Sequence, residues 1–165
     1  MERYASVLVN FALNWGQGIK PGEVVYVLVE EYARPLYREI RRAILKAGGH
    51  MISDYRPSVD KNYNHEKEFY TLANDQQINF FPKRYLRGLI DDADHSIYIL
   101  SETDKQSLAG VDPKKIMQRG EAVKLFRHWR NQKQNRGKFT YTIAMYATPA
   151  MAKEAGLSLK DYWHQ

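Results

Sequence analysis

The sequence contains no cysteine among its 165 residues. This absence excludes disulfide bonds, thiolate catalysis, cysteine-ligated zinc and iron–sulfur clusters. A domain of this size buries roughly two-thirds of the surface that its unfolded chain exposes, so it can be stable without a disulfide or a structural metal. The composition, with 44% hydrophobic and 27% charged residues, is typical of one globular domain.

Long apolar runs are also missing. No stretch approaches 18 consecutive apolar residues, which excludes a membrane-spanning helix. The opening segment MERYASVLVNFALNW starts with a charged pair, is interrupted by Asn10 and Asn14, and precedes no cleavage site of small residues. It therefore does not resemble a signal peptide. We expect a cytoplasmic protein with no membrane partner.

The common catalytic and nucleotide-binding motifs are absent. The sequence has no G-x-G-x-x-G, no G-x-x-x-x-G-K-[ST], no H-E-x-x-H and no G-x-S-x-G. Gly16, Gly18 and Gly22 precede the first predicted strand, whereas a dinucleotide-binding loop has to follow its strand. No two of the five histidines are three or four residues apart, so no helix presents a pair of imidazole metal ligands.

His95 lies beside three aspartates in the segment DDADHS. A metal site would require these carboxylates to converge, but the segment enters a predicted strand, where neighbouring side chains alternate in direction. We therefore favour a capped helix end and a solvated loop over a metal site.

Strands and helices alternate along the chain. Strands are predicted at Val24–Val29, His50–Tyr55, Ser96–Glu102 and Phe139–Thr148. The helices are predicted near Tyr4–Trp15, from Pro35 to Ala47, from about Glu66, at Tyr85–Ile90, from Pro113 and from Thr148. This order predicts the α/β class: a mostly parallel sheet of at least four strands with helices on both faces, in a single domain.

Two predicted helices carry an apolar stripe. In the first helix the stripe consists of Tyr4, Val7, Leu8, Phe11, Ala12 and Trp15. In the helix that follows Asp112, a predicted N-cap, and Pro113, at the first helical position, it consists of Ala122, Leu125, Phe126 and Trp129. We expect both stripes to face the core.

The basic residues are concentrated in one segment. Ten Lys and Arg residues lie between Lys105 and Lys138, against Asp112 and Glu121. Cations interleaved with aromatic residues can bind nucleic acid, so weak nucleic-acid binding through the basic helix Lys114 to Lys138 is one alternative function. We favour a solvated helix face, because the aromatic residues share the stripe that faces the core.

The carboxyl ends of the predicted strands carry polar residues that could form the rim of a cleft. In open parallel sheets, ligands bind beyond these ends. The candidate rim residues are Glu30, Glu31, Arg34, Asp54, Arg56 and Glu102. The competing interpretation, which we favour, is that strand ends are polar because loops are solvated.

Two motifs resemble a known family. LAGVDPKKI, Leu108 to Ile116, precedes a long helix, and TPAMAKEAGLSLKDYW, Thr148 to Trp163, follows a strand. Their order and spacing resemble the amino-terminal domain of the thermophilic-type metalloaminopeptidases, the aminopeptidase T and aminopeptidase S family. The opening segment through Val27 and the segment ARPLYREIRRAILKAGGH are similar to that domain as well. The segment Asn62 to Tyr85 fits the family only loosely.

The resemblance implies a hydrolase that removes amino-terminal residues from peptides and works as a homodimer. It also implies two divalent metal ions, zinc, cobalt or magnesium, held by a carboxyl-terminal domain. No metal ligand of the family maps onto this sequence, so we expect no catalytic, cofactor-binding or metal-binding residue here. Residues 1–165 would form the amino-terminal, non-metal-binding domain, inactive in isolation and partnered by a missing catalytic domain. A stand-alone binding module of the same fold is the other alternative.

Overall fold

Four parallel strands form the sheet in a computed structural model that describes residues 1–60 and 62–164. They are β1 (Val24–Glu30), β2 (His50–Arg56), β3 (His95–Leu100) and β4 (Thr140–Met145). The strand order is β2-β1-β3-β4, and each neighbouring pair is parallel. Because β2 and β3 lie on opposite sides of β1, the direction of the chain across the sheet reverses between β1 and β3.

Helices occupy connections between the strands and also precede the first strand and follow the last one. They are α1 (Glu2–Asn10), α2 (Arg34–Lys46), α3 (His65–Leu72), α4 (Asp75–Ile78), α5 (Lys83–Asp92), α6 (Pro113–Ala122), α7 (Lys124–Asn135), α8 (Pro149–Glu154) and α9 (Leu159–His164). Within the part of the chain that the structure describes, no helix is both long and apolar enough to cross a bilayer.

Helices cover both faces of the sheet, as predicted. On one face, α1 and α2 pack onto buried aliphatic residues of the three strands β1, β3 and β4, such as Val27, Ile97 and Ala144. On the other face, α5 contributes Leu89 and α7 contributes Phe126 to a second apolar cluster. The α/β class, the parallel sheet and its four strands are therefore confirmed.

The first helix is shorter than predicted, and its predicted apolar stripe is only partly confirmed: Leu8 is buried and Tyr4 packs against the core, whereas Val7 is exposed. The helix ends at Asn10, and Ala5, Leu8 and Val9 are the buried residues. Phe11 and Trp15 are 61% and 67% exposed because the chain leaves the helix before either residue can turn toward the sheet.

The basic segment forms two helices rather than one. Asp112 caps α6 by accepting a hydrogen bond from the Lys114 N–H at 2.9 Å, and Pro113 occupies the first helical position, as predicted. The helix then ends at Ala122, and Val123, whose backbone has φ −95° and ψ 3°, separates it from α7. The predicted core stripe is wrong at Leu125, which is 39% exposed, whereas Trp129 is buried.

Candidate functional site

A cleft of about 720 Å³ opens at the carboxyl ends of the strands. It lies beside the ends of β1 and β3, where the chain reverses direction across the sheet. Parallel α/β sheets bind ligands at such a reversal, because the loops that follow the two strands diverge there and leave a crevice. The position of the cleft in the fold therefore makes it the candidate ligand site.

Carboxylates dominate the polar lining of this cleft. Glu30 ends β1, Glu102 follows β3, Glu66 comes from α3, and Glu154 comes from the end of α8. Lys105 lies among them and forms an ion pair with Glu154. The floor and walls are apolar and include Leu28, Val59, Ile99, Met145, Met151 and Tyr162. The cleft thus combines an apolar floor with a negatively charged rim.

Glu30 connects the two strands at the chain reversal. Its carboxylate accepts a hydrogen bond from the Ser101 hydroxyl at 3.4 Å, and Ser101 is almost completely buried. Burial raises the pKa of Glu30 above its ordinary value, and the negative charge of Glu66 acts in the same direction. The hydrogen bond from Ser101 opposes both effects without overcoming them.

The loop after β3 forms one wall of the cleft and is anchored at several points. The Thr103 hydroxyl donates to the Val59 carbonyl at 2.5 Å, and the Thr148 hydroxyl donates to the Glu102 carbonyl. Farther along the loop, the Asn64 side chain donates to the Ser107 carbonyl at 2.7 Å. These bonds hold the segments that flank the cleft in fixed positions.

The structure brings only part of the predicted rim together within the described residues. Glu30 and Glu102 line the cleft. Glu31, in the turn before α2, instead forms an exposed ion pair of 3.3 Å with Arg34, the first residue of α2. Sequence reasoning did not single out Glu66 and Glu154, because both lie on helices far along the chain from the strand ends.

Asp54 and Arg56 also lie outside the cleft lining. They form a 2.5 Å ion pair on β2, and the Tyr26 hydroxyl donates to Asp54 at 3.2 Å. Burial alone would raise the pKa of Asp54, but the hydrogen bonds and charge of Arg56, with the Tyr26 hydroxyl, hold it below its ordinary value. Asp54 is thus satisfied by Arg56 and Tyr26.

His95 contradicts its predicted place in a solvated loop. It is only 4% exposed and begins β3 at the amino end of the sheet. Its Nε2 lies 2.9 Å from Glu23 Oε2 and its Nδ1 lies 2.8 Å from Thr140 Oγ1. Since Thr140 Oγ1 already accepts the Asn14 N–H, the hydroxyl proton is free to donate to Nδ1 and Nε2–H to donate to Glu23. The buried His95 ring thus links Glu23 to Thr140 by hydrogen bonds, and the sequence did not predict this arrangement.

The described residues do not fit a divalent metal ion. Nowhere in residues 1–60 and 62–164 do three His, Asp or Glu side chains converge closely enough to hold one. Glu23 and His95 meet, but their polar atoms already bond one another, Thr140 and the Lys20 N–H.

Many cations of the basic segment bind carbonyl oxygens of the protein itself. Lys115 donates to the carbonyls of Tyr70 and Ala73 at the end of α3. Arg119 donates to two carbonyls at the end of α4, and Lys133 donates to three at the end of α5. These side chains neutralise the negative ends of three helix dipoles, so they are not available to bind phosphates.

Comparison with known proteins gives the family. Residues 1–165 match the model of the thermophilic metalloprotease (M29) family. No curated protein sequence matches the chain. Among solved structures, wild-type AmpT from Thermus thermophilus is 17% identical, with a TM-score of 0.75, and the match covers 97% of this chain and 39% of that one. This chain thus spans well under half the length of that protein.

A second solved structure matches much less well. An ABC-type branched-chain amino acid transporter from Rhodopseudomonas palustris is 16% identical, with coverage of 94% of this chain and 33% of that one. Its TM-score of 0.37 is too low to support any structural argument. The full-length match to the family model, by contrast, is decisive: the chain belongs to the thermophilic metalloprotease (M29) family.

Proposed function

We propose that this chain is the amino-terminal, non-metal-binding domain of a metal-dependent aminopeptidase, and that its cleft binds the amino-terminal part of peptide substrates. The observation that carries the proposal is the acidic cleft at the chain reversal of a fold that belongs to a metalloprotease family. The missing partner is a catalytic domain that supplies two divalent metal ions.

The chemistry of the cleft suits a peptide with a free amino terminus. Glu30, Glu66 and Glu102 present negative charge toward an α-ammonium group, while Leu28 and Met151 offer apolar contact to the first side chain. A cleft with charge of one sign and low-dielectric walls concentrates ligands of the opposite charge. This domain would therefore orient the peptide, and the bond would be broken by groups that the partner domain supplies.

Turnover assays test the catalytic half of the proposal. The chain alone, incubated with zinc, cobalt or magnesium and an aminoacyl-arylamide, should release no arylamine. Metal-dependent turnover that a chelator abolishes would show that the chain carries its own active site and would refute the proposal.

Binding assays test the other half. A short peptide with a free amino terminus should bind more tightly than its N-acetylated twin, by about twofold to fivefold, because partly exposed ion pairs contribute about 0.3–1 kcal/mol. The variant Glu30→Gln should reduce this preference, whereas Glu31→Gln, next in the chain but outside the cleft, should preserve it. Equal affinity for both peptides in the parent chain would count against the acidic cleft as a peptide site.

The stand-alone binding module is one alternative, and it makes the same binding prediction. The aminopeptidase proposal and the module alternative differ in what they predict when a catalytic domain is added to this chain. If the carboxyl-terminal domain of a longer family member forms a complex with this chain and gains peptidase activity, the aminopeptidase proposal is supported. If no complex forms at concentrations well above those of the assay, the module alternative replaces it.

A further inference from the structure

A groove of about 800 Å³ adjoins the cleft. It is lined by side chains of α1, of α9 and of the end of the edge strand β4. Met145 and Tyr162 line the cleft and the groove alike, so the two cavities meet at these side chains. A ligand that extends from the cleft past the end of β4 therefore enters the groove.

The lining of the groove is mostly apolar, and two of its aromatic rings are held in place. Val7, Met145 and Trp163 are 45%, 47% and 36% exposed. The Tyr4 hydroxyl accepts the Met145 N–H at 3.2 Å. The Trp163 ring packs edge-on against Tyr146, with ring centroids 5.0 Å apart. Because these contacts fix the rings of Tyr4 and Trp163 before a ligand arrives, binding costs little side-chain entropy there.

The cleft and the groove differ in the sign of their charge. The carboxylates of Glu30, Glu66 and Glu102 line the cleft. Among the described residues, the one charged side chain in the lining of the groove is Arg3. A peptide carries a positive charge at its amino terminus and a negative charge at its carboxyl terminus. Complementary charge therefore favours a peptide with its amino terminus in the cleft and its carboxyl-terminal part toward α1.

The spacing of the strands determines how much of a peptide the cleft holds. Glu30 ends β1, Met145 ends β4, and β3 lies between these two strands. Neighbouring strands are about 4.8 Å apart, so the ends of β1 and β4 are separated by about 10 Å. An extended peptide advances about 3.3 Å per residue, so about three residues span this separation. Residues from about the fourth onward reach the groove.

We propose that the groove is an extension of the peptide site and binds apolar side chains from about the fourth position of the substrate onward. This inference rests on the proposed function, because it takes the amino terminus of the peptide to lie in the cleft. It names the class of substrate: peptides of about five or more residues with apolar side chains at the fourth and fifth positions bind more tightly than dipeptides and tripeptides.

Continuity with the cleft is the reason that the occupant is the peptide. A second protein domain could also cover an apolar groove, but it would have no need to share Met145 and Tyr162 with the cleft. A peptide seated in the cleft reaches the groove simply by being longer. The first three residues and the later ones then occupy neighbouring cavities of opposite charge.

Calorimetric titration of the parent chain with synthetic peptides tests the inference. Ala-Ala-Ala-Leu-Leu should bind about fivefold to tenfold more tightly than Ala-Ala-Ala-Ser-Ser, because the two leucine side chains leave water in the groove. The acetylated form of the leucine peptide is the control for the cleft. Equal affinity for the leucine and serine peptides, with the free amino terminus still preferred, overturns the inference and leaves the proposed function standing. Loss of that preference overturns both.

Two variants locate the contact. Val7→Ser should weaken binding of the leucine peptide by about threefold and leave the affinity for Ala-Ala-Ala unchanged. The matched control is Phe11→Ser, which removes an exposed apolar side chain outside the groove and should change neither affinity. Arg3→Gln should reduce the preference for the leucine peptide over its carboxyl-terminal amide. If Val7→Ser and Arg3→Gln both leave binding of the leucine peptide unchanged, or Val7→Ser weakens the tripeptide equally, the groove is not part of the peptide site.

Discussion

Both ends of the parallel sheet carry carboxylate and hydroxyl side chains, but these groups differ in how fully they are hydrogen-bonded within the protein. At the amino end, the Glu23 carboxylate, the His95 imidazole and the Thr140 hydroxyl bond to one another. At the carboxyl end, the Glu30 carboxylate meets the Ser101 hydroxyl and otherwise faces an open cleft. Polar groups are satisfied within the protein at one end and remain accessible to a ligand at the other.

The same contrast holds for the lysines. Lys133, near the amino end, donates to the carbonyls of Ile90, Asp91 and Ala93, so its three N–H donors are all used. Lys105, at the carboxyl end, lies in an exposed ion pair with Glu154. Charge alone therefore does not identify a functional region of this chain. Among the described residues, what distinguishes the cleft is that Glu66 and Glu102 line it without a side-chain hydrogen bond to another part of the protein.

Removing a hydroxyl at the closed end should have the largest effect. Thr140→Val keeps the side-chain shape but leaves the Asn14 N–H and the His95 ring without their partner, which should cost about 2 kcal/mol of the free energy of unfolding. We expect thermal unfolding to shift downward by about 4–8 °C. Thr142→Val on the same strand should change stability by less than about 0.5 kcal/mol. Equal effects of the two variants would show that the amino end is not a closed network.

Removing the lysine that caps α5 should have the next largest effect. Lys133→Met retains most of the aliphatic stem but deprives three carbonyl oxygens of their donor, for a loss of about 1–2 kcal/mol measured by urea unfolding. Lys138→Met, in the same basic segment, should cost less than about 0.5 kcal/mol. If both lysines proved equally dispensable, the basic residues would be surface charges, and binding to nucleic acid would need to be reconsidered.

At the open end, Glu30→Gln should be stabilising at neutral pH. The raised pKa of Glu30 means that the folded chain binds this proton more readily than the unfolded chain does. The stabilisation that protonated Glu30 contributes is therefore lost as the pH rises from the ordinary glutamate pKa of about 4.3 through the raised pKa of Glu30 in the folded chain. The variant should melt about 1–2 °C higher at pH 7 and no higher at pH 4. A lower melting temperature at pH 7 would indicate that the parent carboxylate is satisfied after all.

Asp54 should show a pH effect of the opposite sign. Because the pKa of Asp54 is lowered in the folded chain, this residue stabilises the fold at any pH above the ordinary aspartate pKa of about 3.9. That stabilisation is lost as the pH falls through the pKa of Asp54 in the folded chain. Asp54→Asn should destabilise the chain by less than about 1 kcal/mol at pH 7, as expected for a partly exposed ion pair. The difference in the free energy of unfolding between this variant and the parent chain should vanish at acidic pH. A difference that persists at low pH would assign the effect to packing instead of charge.

The sequence predicted the fold well because its periodic patterns reflect local physics. The continuous apolar run at Val24–Val29 identified a strand buried on both faces, and Asp112 with Pro113 located a helix start. The break at Val123 escaped prediction, because no glycine or proline marks it there. The end of α1 at Asn10 escaped prediction as well, because no glycine or proline marks it there.

The site was less accessible to sequence reasoning. Strand ends could be ranked as rim candidates, which identified Glu30 and Glu102. The strand order decides which ends face a common cleft, and that order depends on long-range packing that no local pattern encodes. Glu66 and Glu154 lie on helices, and only the packing of those helices brings them to the cleft. His95 is buried and not exposed as predicted, because its two partners, Glu23 before β1 and Thr140 in β4, are distant in the sequence.

The central claim is that ligands bind at the open carboxyl end and not at the closed amino end. The most direct measurement is a backbone amide NMR titration with a short peptide that has a free amino terminus. The claim predicts concentration-dependent shifts at Glu30, Ser101 and Glu102, with His95 and Thr140 unchanged. Shifts confined to His95, Thr140 and their neighbours would contradict it.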